Sequence, residues 1–331
     1  MPSNRKLLSV LFLCAMLTLT TLPGCNSGTA SLTQPPTETP TKPIVAPPTT
    51  ALTSGGYYYM AVDYADNALC WGQNEWSMII HTNDYDPTPD DPIVKVTNAR
   101  SVSASNWMAL ITDQSNVLWG WGRGYFNSLG VLSDGIDPLP IMNDVAMASN
   151  GGAHYVALKT NGDVYHWGAG WKNHTLGLED GMIPPDQAIK VLDNAIYVHA
   201  TVNNGYAIQK DGSLWRWDIS VLDDGLTSGN QPVKVMDDVV YVRGSLLIKR
   251  DGTLWGWESD WSAPEPPPFN PVFIMDNIVL CDAGFGSFAA IQNDGSLWLW
   301  GINNYGQIGD GTAETDDTPV KVADNVVDVT V

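Results

Sequence analysis

Six times along this chain a turn leads into an aliphatic residue, an aromatic, one free position and a tryptophan. The copies read NALCWG, NVLWGWG, NGDVYHWG, DGSLWRWD, DGTLWGWE and DGSLWLWG, with final tryptophans at Trp71, Trp121, Trp167, Trp217, Trp257 and Trp300. Successive copies lie 40 to 50 residues apart, the period of a propeller blade. A period of this size implies units that cannot bury their own apolar face and must stack or close into a ring.

A second phrase recurs beside the first. It reads Pro-aliphatic-Lys-Val, then Asp or Asn, then an alternating valine-rich run, as in PIVKVTNARSVSA, QPVKVMDDVVYVRG and TPVKVADNVVDVTV. A third segment follows, such as HYVALKTNG or FAAIQNDG. Runs of four to six residues with period-two alternation predict short strands. Asn161-Gly162, Asp211-Gly212, Asp251-Gly252 and Asp294-Gly295 suit the positive φ of tight hairpin turns. The expected architecture is all-β: a propeller of six four-stranded antiparallel blades. A seventh would need roughly 45 more residues. The chain ends on what reads as the first two strands of a blade and enters the repeats on the last two. Pairing these ends would close the ring and leave no open edge.

Residues 1–24 read as a signal segment: Arg5 and Lys6 precede an apolar run from Leu7 to Leu22, which is too short for a stable membrane span. The run ends in Leu22-Pro23-Gly24-Cys25, which resembles the lipobox of bacterial lipoproteins. That resemblance implies cleavage before Cys25, lipidation of its thiol and anchoring to the cell membrane facing outside the cytoplasm. Residues 25–52, rich in Pro and Thr, read as an extended spacer. Residues 53–331 form the propeller. Within it Cys70 and Cys281 are read as two buried thiols, with a disulfide as the alternative in an exported chain.

The best-formed unit, DGSLWLWGINNYGQIGDGT at residues 294–312 followed by PVKV, resembles the regulator of chromosome condensation (RCC-type) repeat family. The resemblance covers about residues 53–331. The family's founding member has seven blades where this chain shows six copies, and the loop after the phrase is degenerate at Trp217-Asp218 and Trp257-Glu258. The resemblance implies a binding role rather than catalysis. His154 stands where the family often has a histidine, which implies a structural hydrogen bond.

Ten of the fourteen tryptophans belong to the repeated phrase and are expected in the blade core. The loops after each phrase carry Trp76, Phe126, Trp171, Trp261 and Tyr305, and a repeated topology would bring those loops to one face. These five residues are the candidate binding face; the alternative is that each ring folds back on its own loop. The same loops hold more than half of the carboxylates, including Glu75, Asp84, Asp310 and Glu314. An acidic face with aromatic anchors suits a basic protein partner. A net charge of −20 argues against nucleic acid. The histidines show no zinc spacing, and Asn83-Asp84-Tyr85-Asp86 only hints at calcium. No nucleophile or phosphate-binding motif is present, so no catalytic residue, metal or cofactor is expected. The expected function is an exported, membrane-anchored protein-binding scaffold. The alternatives are a cell-wall glycan binder or hydrolase and an inhibitor of a secreted enzyme.

Overall fold

The computed structural model describes residues 52–55, 58–72, 92–105, 108–122, 137–169, 183–224, 226, 231–257, 269–284 and 286–331. Their twenty-four strands form six sheets of four. The blades span residues 52–96, 99–142, 145–192, 195–236, 239–275 and 278–323. Each is a meander of antiparallel neighbours in chain order.

The first strand of each blade is innermost: Leu52–Ser54 in blade 1 and, in blades 2 to 6, the run that follows the Pro-aliphatic-Lys-Val phrase, Ala99–Ala104, Val145–Asn150, Ala195–Ala200, Val239–Arg243 and Ile278–Gly284. The Pro-aliphatic-Lys-Val phrase is the fourth and outermost. Blades therefore begin one connection later than the sequence reading placed them. The reason is exposure. Val233 and Val272 of the outer strands stand more than half exposed, as suits an edge with a solvent face, whereas the inner runs are largely buried.

The short connection between outer and inner strands depends on a left-handed residue. Asn98, Asp144, Asn194, Asp238, Asn277 and Asn325 have φ between 56° and 62°, a region Asn and Asp tolerate better than other side chains. The next amide then donates to a carbonyl in the preceding blade's hairpin turn, as from Val145 N to Asn116 O at 2.8 Å and from Ala195 N to Gly162 O at 3.0 Å. The Asn-Gly and Asp-Gly turns have the expected positive φ, 82° to 92° at Gly162, Gly212, Gly252 and Gly295.

The expected sharing of one blade between the two ends is not how the ring closes. Blade 1 has its own first strand, and the last fourth strand belongs to blade 6. The ends still meet: the Ser54 hydroxyl donates to the Val331 carbonyl at 3.2 Å. Residues 326–331 lie beside the inner strands but belong to no sheet.

The tryptophan phrase builds the contacts between blades. Trp121, Trp167, Trp217 and Trp300 are buried. Trp121, for example, joins Tyr58, Met60 and Cys70 of blade 1 to Ala109 and Ile111 of blade 2. The first tryptophan of each pair lies two residues earlier on the same face, at the hairpin end, and is only half-buried. Its indole N–H ties down the turn: Trp119 to Asp113, Trp215 to Ser213, Trp255 to Thr253 and Trp298 to Gln292, at 2.8 to 3.0 Å. Trp121→Ala should therefore cost about 3–5 kcal/mol in denaturant unfolding, and Trp255→Ala clearly less.

Cys70 and Cys281 are free, buried thiols in blades 1 and 6. Burial pushes the Cys70 thiol up to about 12 and the Cys281 thiol well above its ordinary value. Neither should react with an aromatic disulfide reagent at pH 8 until the protein is unfolded.

Candidate functional site

The innermost strands surround a central cavity of about 950 Å³. It is lined at the end of the disc where first strands turn into second strands and third strands lead into the long loops. Its wall is largely apolar, with Ala104, Ala200, Phe288, Leu299, Trp300 and Ile308 among the lining residues.

The lining also holds a polar belt that the sequence reading missed. Strand pairing places Thr53, Ser103, Ser149, His199, Arg243 and Asp282 at one register, one per inner strand. Thr53, Ser103, Ser149, His199 and Asp282 are buried. Three belt residues accept a bond from the next inner strand. Ser103 Oγ accepts from Asn150 N, Ser149 Oγ from Ala200 N and His199 Nε2 from Gly244 N, at 2.8 to 3.1 Å. Arginine has no acceptor, so the pattern changes at Arg243. Arg243 Nε instead donates to Asp282 Oδ1 at 2.8 Å, and Asp282 Oδ1 also takes its neighbour's amide, Ala283 N, at 3.0 Å. Asp282 Oδ2 accepts from Val331 N at 3.0 Å. Burial opposes the charge on Arg243, but the Asp282 carboxylate outweighs it and holds the guanidinium protonated.

Three histidines are fixed in the neutral form by their partners. The Trp217 indole can only donate, and it points at His166 Nδ1 at 3.0 Å. His166 must then carry its proton on Nε2, which faces His154 Nδ1 at 2.8 Å. His154 in turn donates from Nε2 to the Thr201 carbonyl at 2.6 Å. This chain of bonds joins blades 3 and 4. Gly151 makes room for it, since a Cβ there would sit 2.4 Å from His154 Nε2. His199, with Gly244 N donating to Nε2, carries its proton on Nδ1 facing Ser149 Oγ at 3.4 Å. Burial pushes the His166 and His199 rings well below their ordinary pKa. The expected structural hydrogen bond at His154 is present. Although His154 and His166 touch, their direct bond leaves no room for a metal between them.

Of the candidate binding residues, Tyr305 is described. It is 84% exposed at the cavity mouth. It does not fold back on its loop. The loop is pinned by Asn303, which is fully buried: Asn303 Oδ1 accepts from Ile308 N at 2.9 Å and its Nδ2 donates to Thr312 O at 3.2 Å. Trp76, Phe126, Trp171 and Trp261, the Asn83–Asp86 run and Cys25 lie outside the described residues. Asp310 and Glu314 stand exposed on the loop that bears Tyr305, and Asp316 and Asp317 stand exposed at the start of the strand that follows it. Among the described residues no group of three or more His, Cys, Asp or Glu is placed to hold a metal ion. No described helix is long and apolar enough to cross a membrane.

Comparison with known proteins agrees with this geometry. Residues 294–331 match the regulator of chromosome condensation (RCC1) repeat. The chain is 24% identical over 268 residues to the mitochondrial RCC1 domain-containing protein RUG3 of Arabidopsis thaliana, covering 70% of this chain and 60% of RUG3. It is 24% identical over 317 residues to the ultraviolet-B receptor UVR8 of the same plant, covering 84% and 71%. The chain thus spans less than two thirds of RUG3. Among solved structures, human WBSCR16 superposes with a TM-score of 0.66 at 19% identity, covering 86% of this chain and 85% of that one. Prp20p of Saccharomyces cerevisiae superposes at 0.64 and 17%, covering 82% and 76%; that structure was described with its binding to Gsp1p and histones. Residues 294–331 thus carry an RCC1-type repeat, and the six-bladed propeller around it is similar in fold to those of RCC1-type proteins.

Proposed function

We propose that this chain is a membrane-anchored scaffold outside the cytoplasm, whose propeller binds a protein partner at the cavity face without catalysing a reaction. The observation that carries this reading is the state of the cavity's titratable groups. His199, Arg243 and Asp282 are all committed to bonds between inner strands, which leaves a stable, largely apolar mouth rather than a poised acid or base. Tyr305 and the exposed carboxylates beside it give that mouth an aromatic, negative rim suited to a basic partner. That Prp20p binds the proteins Gsp1p and histones supports the general mode. The net charge of −20 argues against nucleic acid as the target. Lipidation at Cys25, with residues 25–52 as a spacer, accounts for the apolar leader and the Pro/Thr stretch.

The test is capture from the producing cell's envelope and secreted fractions on immobilised residues 53–331. A parallel column carries Trp76→Ala, Trp171→Ala and Trp261→Ala together. The expected result is a protein retained by the first column and lost from the second. Retention of wall polysaccharide instead of protein would shift the reading to a glycan-binding propeller. Cys25→Ser should move the chain from the membrane to the soluble fraction on fractionation; unchanged membrane association would contradict the anchor.

A further inference from the structure

The polar belt uses up hydrogen-bond donors on the cavity edge, and this decides what the cavity can bind. In blades 1 to 4 the first hairpin has one register. The amides of Gly55, Ser105, Gly151 and Thr201 donate to the carbonyls of Tyr58, Met108, His154 and Asn204 at 2.8 to 2.9 Å. The residues just before them, Ser54, Ala104, Asn150 and Ala200, stand opposite Tyr59, Ala109, Tyr155 and Gly205. Bonded and non-bonded pairs alternate along an antiparallel ladder, so the N–H and C=O of these four residues turn away from the second strand. All four residues line the cavity.

The belt then treats amides and carbonyls differently. Ser103 Oγ takes the Asn150 amide and Ser149 Oγ takes the Ala200 amide. Further round the ring His199 takes the Gly244 amide, and Asp282 takes those of Ala283 and Val331. Among the described residues nothing donates to the carbonyls of Asn150 and Ala200. The edge is left rich in acceptors and poor in donors. Charge follows the same division. Every described lysine lies on an outer strand or at the hairpin-turn end of the disc, and none lines the cavity. Arg216 is held by Asn204 Oδ1 at 3.0 Å and Arg243 by Asp282. Asp137, Asp186, Asp310 and Glu314 stand exposed at the cavity end. An anion would meet only acceptors and carboxylates there. A wholly apolar group would leave the carbonyls unpaired.

Resting on the reading of the cavity face as the site of a protein partner, we propose that the partner inserts a lysine side chain into this cavity. Its ammonium donates to the carbonyls of Asn150 and Ala200. Its alkyl stem lies along the apolar wall of Ala104, Val202 and Phe288. An ammonium carries rotatable donors on a compact charge, which suits acceptors spread over separate strands. The planar fork of a guanidinium suits a single carboxylate instead. The acidic rim draws the cation in, and the carbonyls replace the water it gives up.

Calorimetric titration of the full chain with hexylammonium chloride tests the chemistry, beside hexyltrimethylammonium, hexanoate and hexanol. The expected result is saturable binding of hexylammonium, at least tenfold tighter than any of the other three. Val202→Lys brings a tethered ammonium to the mouth and should weaken the probe at least tenfold. Equal binding of hexyltrimethylammonium, which has the charge but no N–H, overturns the carbonyl site and assigns the cation to the aromatic wall. Absence of hexylammonium binding, or unchanged binding to Val202→Lys, also overturns it. The captured partner is then titrated before and after acetylation of its lysines, with a loss of at least tenfold expected. A partner that binds equally well when acetylated overturns the inserted lysine and leaves the protein-binding reading standing. Probe binding with no protein retained on the column overturns both and makes a free organic amine the occupant.

Discussion

Asp282→Ala is expected to lower folding stability by about 3–5 kcal/mol, enough to threaten the fold of a marginally stable propeller. The carboxylate has three tasks in one place. It neutralises Arg243, which has 15% of its side chain exposed, and it accepts the amides of Ala283 and Val331. Its loss leaves a nearly enclosed cation unpaired and removes the bond that ties residues 326–331 to blade 6. Arg243→Met alone should also be costly, because it strands the carboxylate. The double variant Arg243→Met/Asp282→Leu should lose about 2 kcal/mol less than the sum of the singles. Urea unfolding of the four chains measures this. Additive losses would show that the pair does not act as a unit.

The second large effect is a loss of stability in mild acid. His166 and His199 have their pKa values depressed by burial in the folded chain. The unfolded chain takes up protons as the pH falls through the ordinary histidine range, about 6.5, and the folded chain does not. Stability is therefore complete above about pH 6.5 and falls below it, by about 1.4 kcal/mol per pH unit for each histidine that stays neutral. Two such rings give a slope of nearly 3 kcal/mol per unit between about pH 6 and 5. Asp328 works the other way, since burial raises its pKa, but its effect falls in the carboxylate range. The aspartates whose pKa is lowered by the hydroxyl, and then the amide, of the serine two residues on, such as Asp211 and Asp294, lose their contribution only as the pH falls through that lower range. Urea midpoints at pH 7.5, 6 and 5 should show the slope, and His199→Asn should reduce it by about half. A flat profile from pH 7.5 to 5 would mean that these rings titrate normally.

What was legible in the sequence was local. The tryptophan phrase announced the interface between blades because six copies share one register. The Asn-Gly and Asp-Gly turns announced the hairpins because their φ requirement is a property of those residues alone. Blade number followed from both. The starting strand of each blade did not, because a run of short alternating strands looks alike whichever is innermost. Only the exposure of Val233 and Val272 decides it. The polar belt was hidden for a related reason. One Ser, His, Arg or Asp in a valine-rich strand looks incidental until the strands are aligned side by side. Aligning the runs on the left-handed Asn or Asp before each would have exposed it. The contact between His154 and His166 was within reach of simple hairpin arithmetic. His154 pairs with Gly168, two residues beyond His166, which makes the two rings diagonal neighbours. Tyr305 was correctly placed in a loop after the phrase, but the residue that pins that loop is Asn303, a role that depends on burial.

A protein-binding propeller of this kind works through one face of the disc, and here that face is the cavity mouth. The direct measurement is equilibrium affinity for the captured partner across two variants. Val202→Trp places a large ring at the cavity mouth. Asp276→Lys reverses an exposed charge at the opposite end of the disc. With melting temperatures unchanged, Val202→Trp should weaken binding at least a hundredfold and Asp276→Lys should leave it as it was. Loss of binding in Asp276→Lys, with Val202→Trp binding normally, would contradict the cavity face as the working surface.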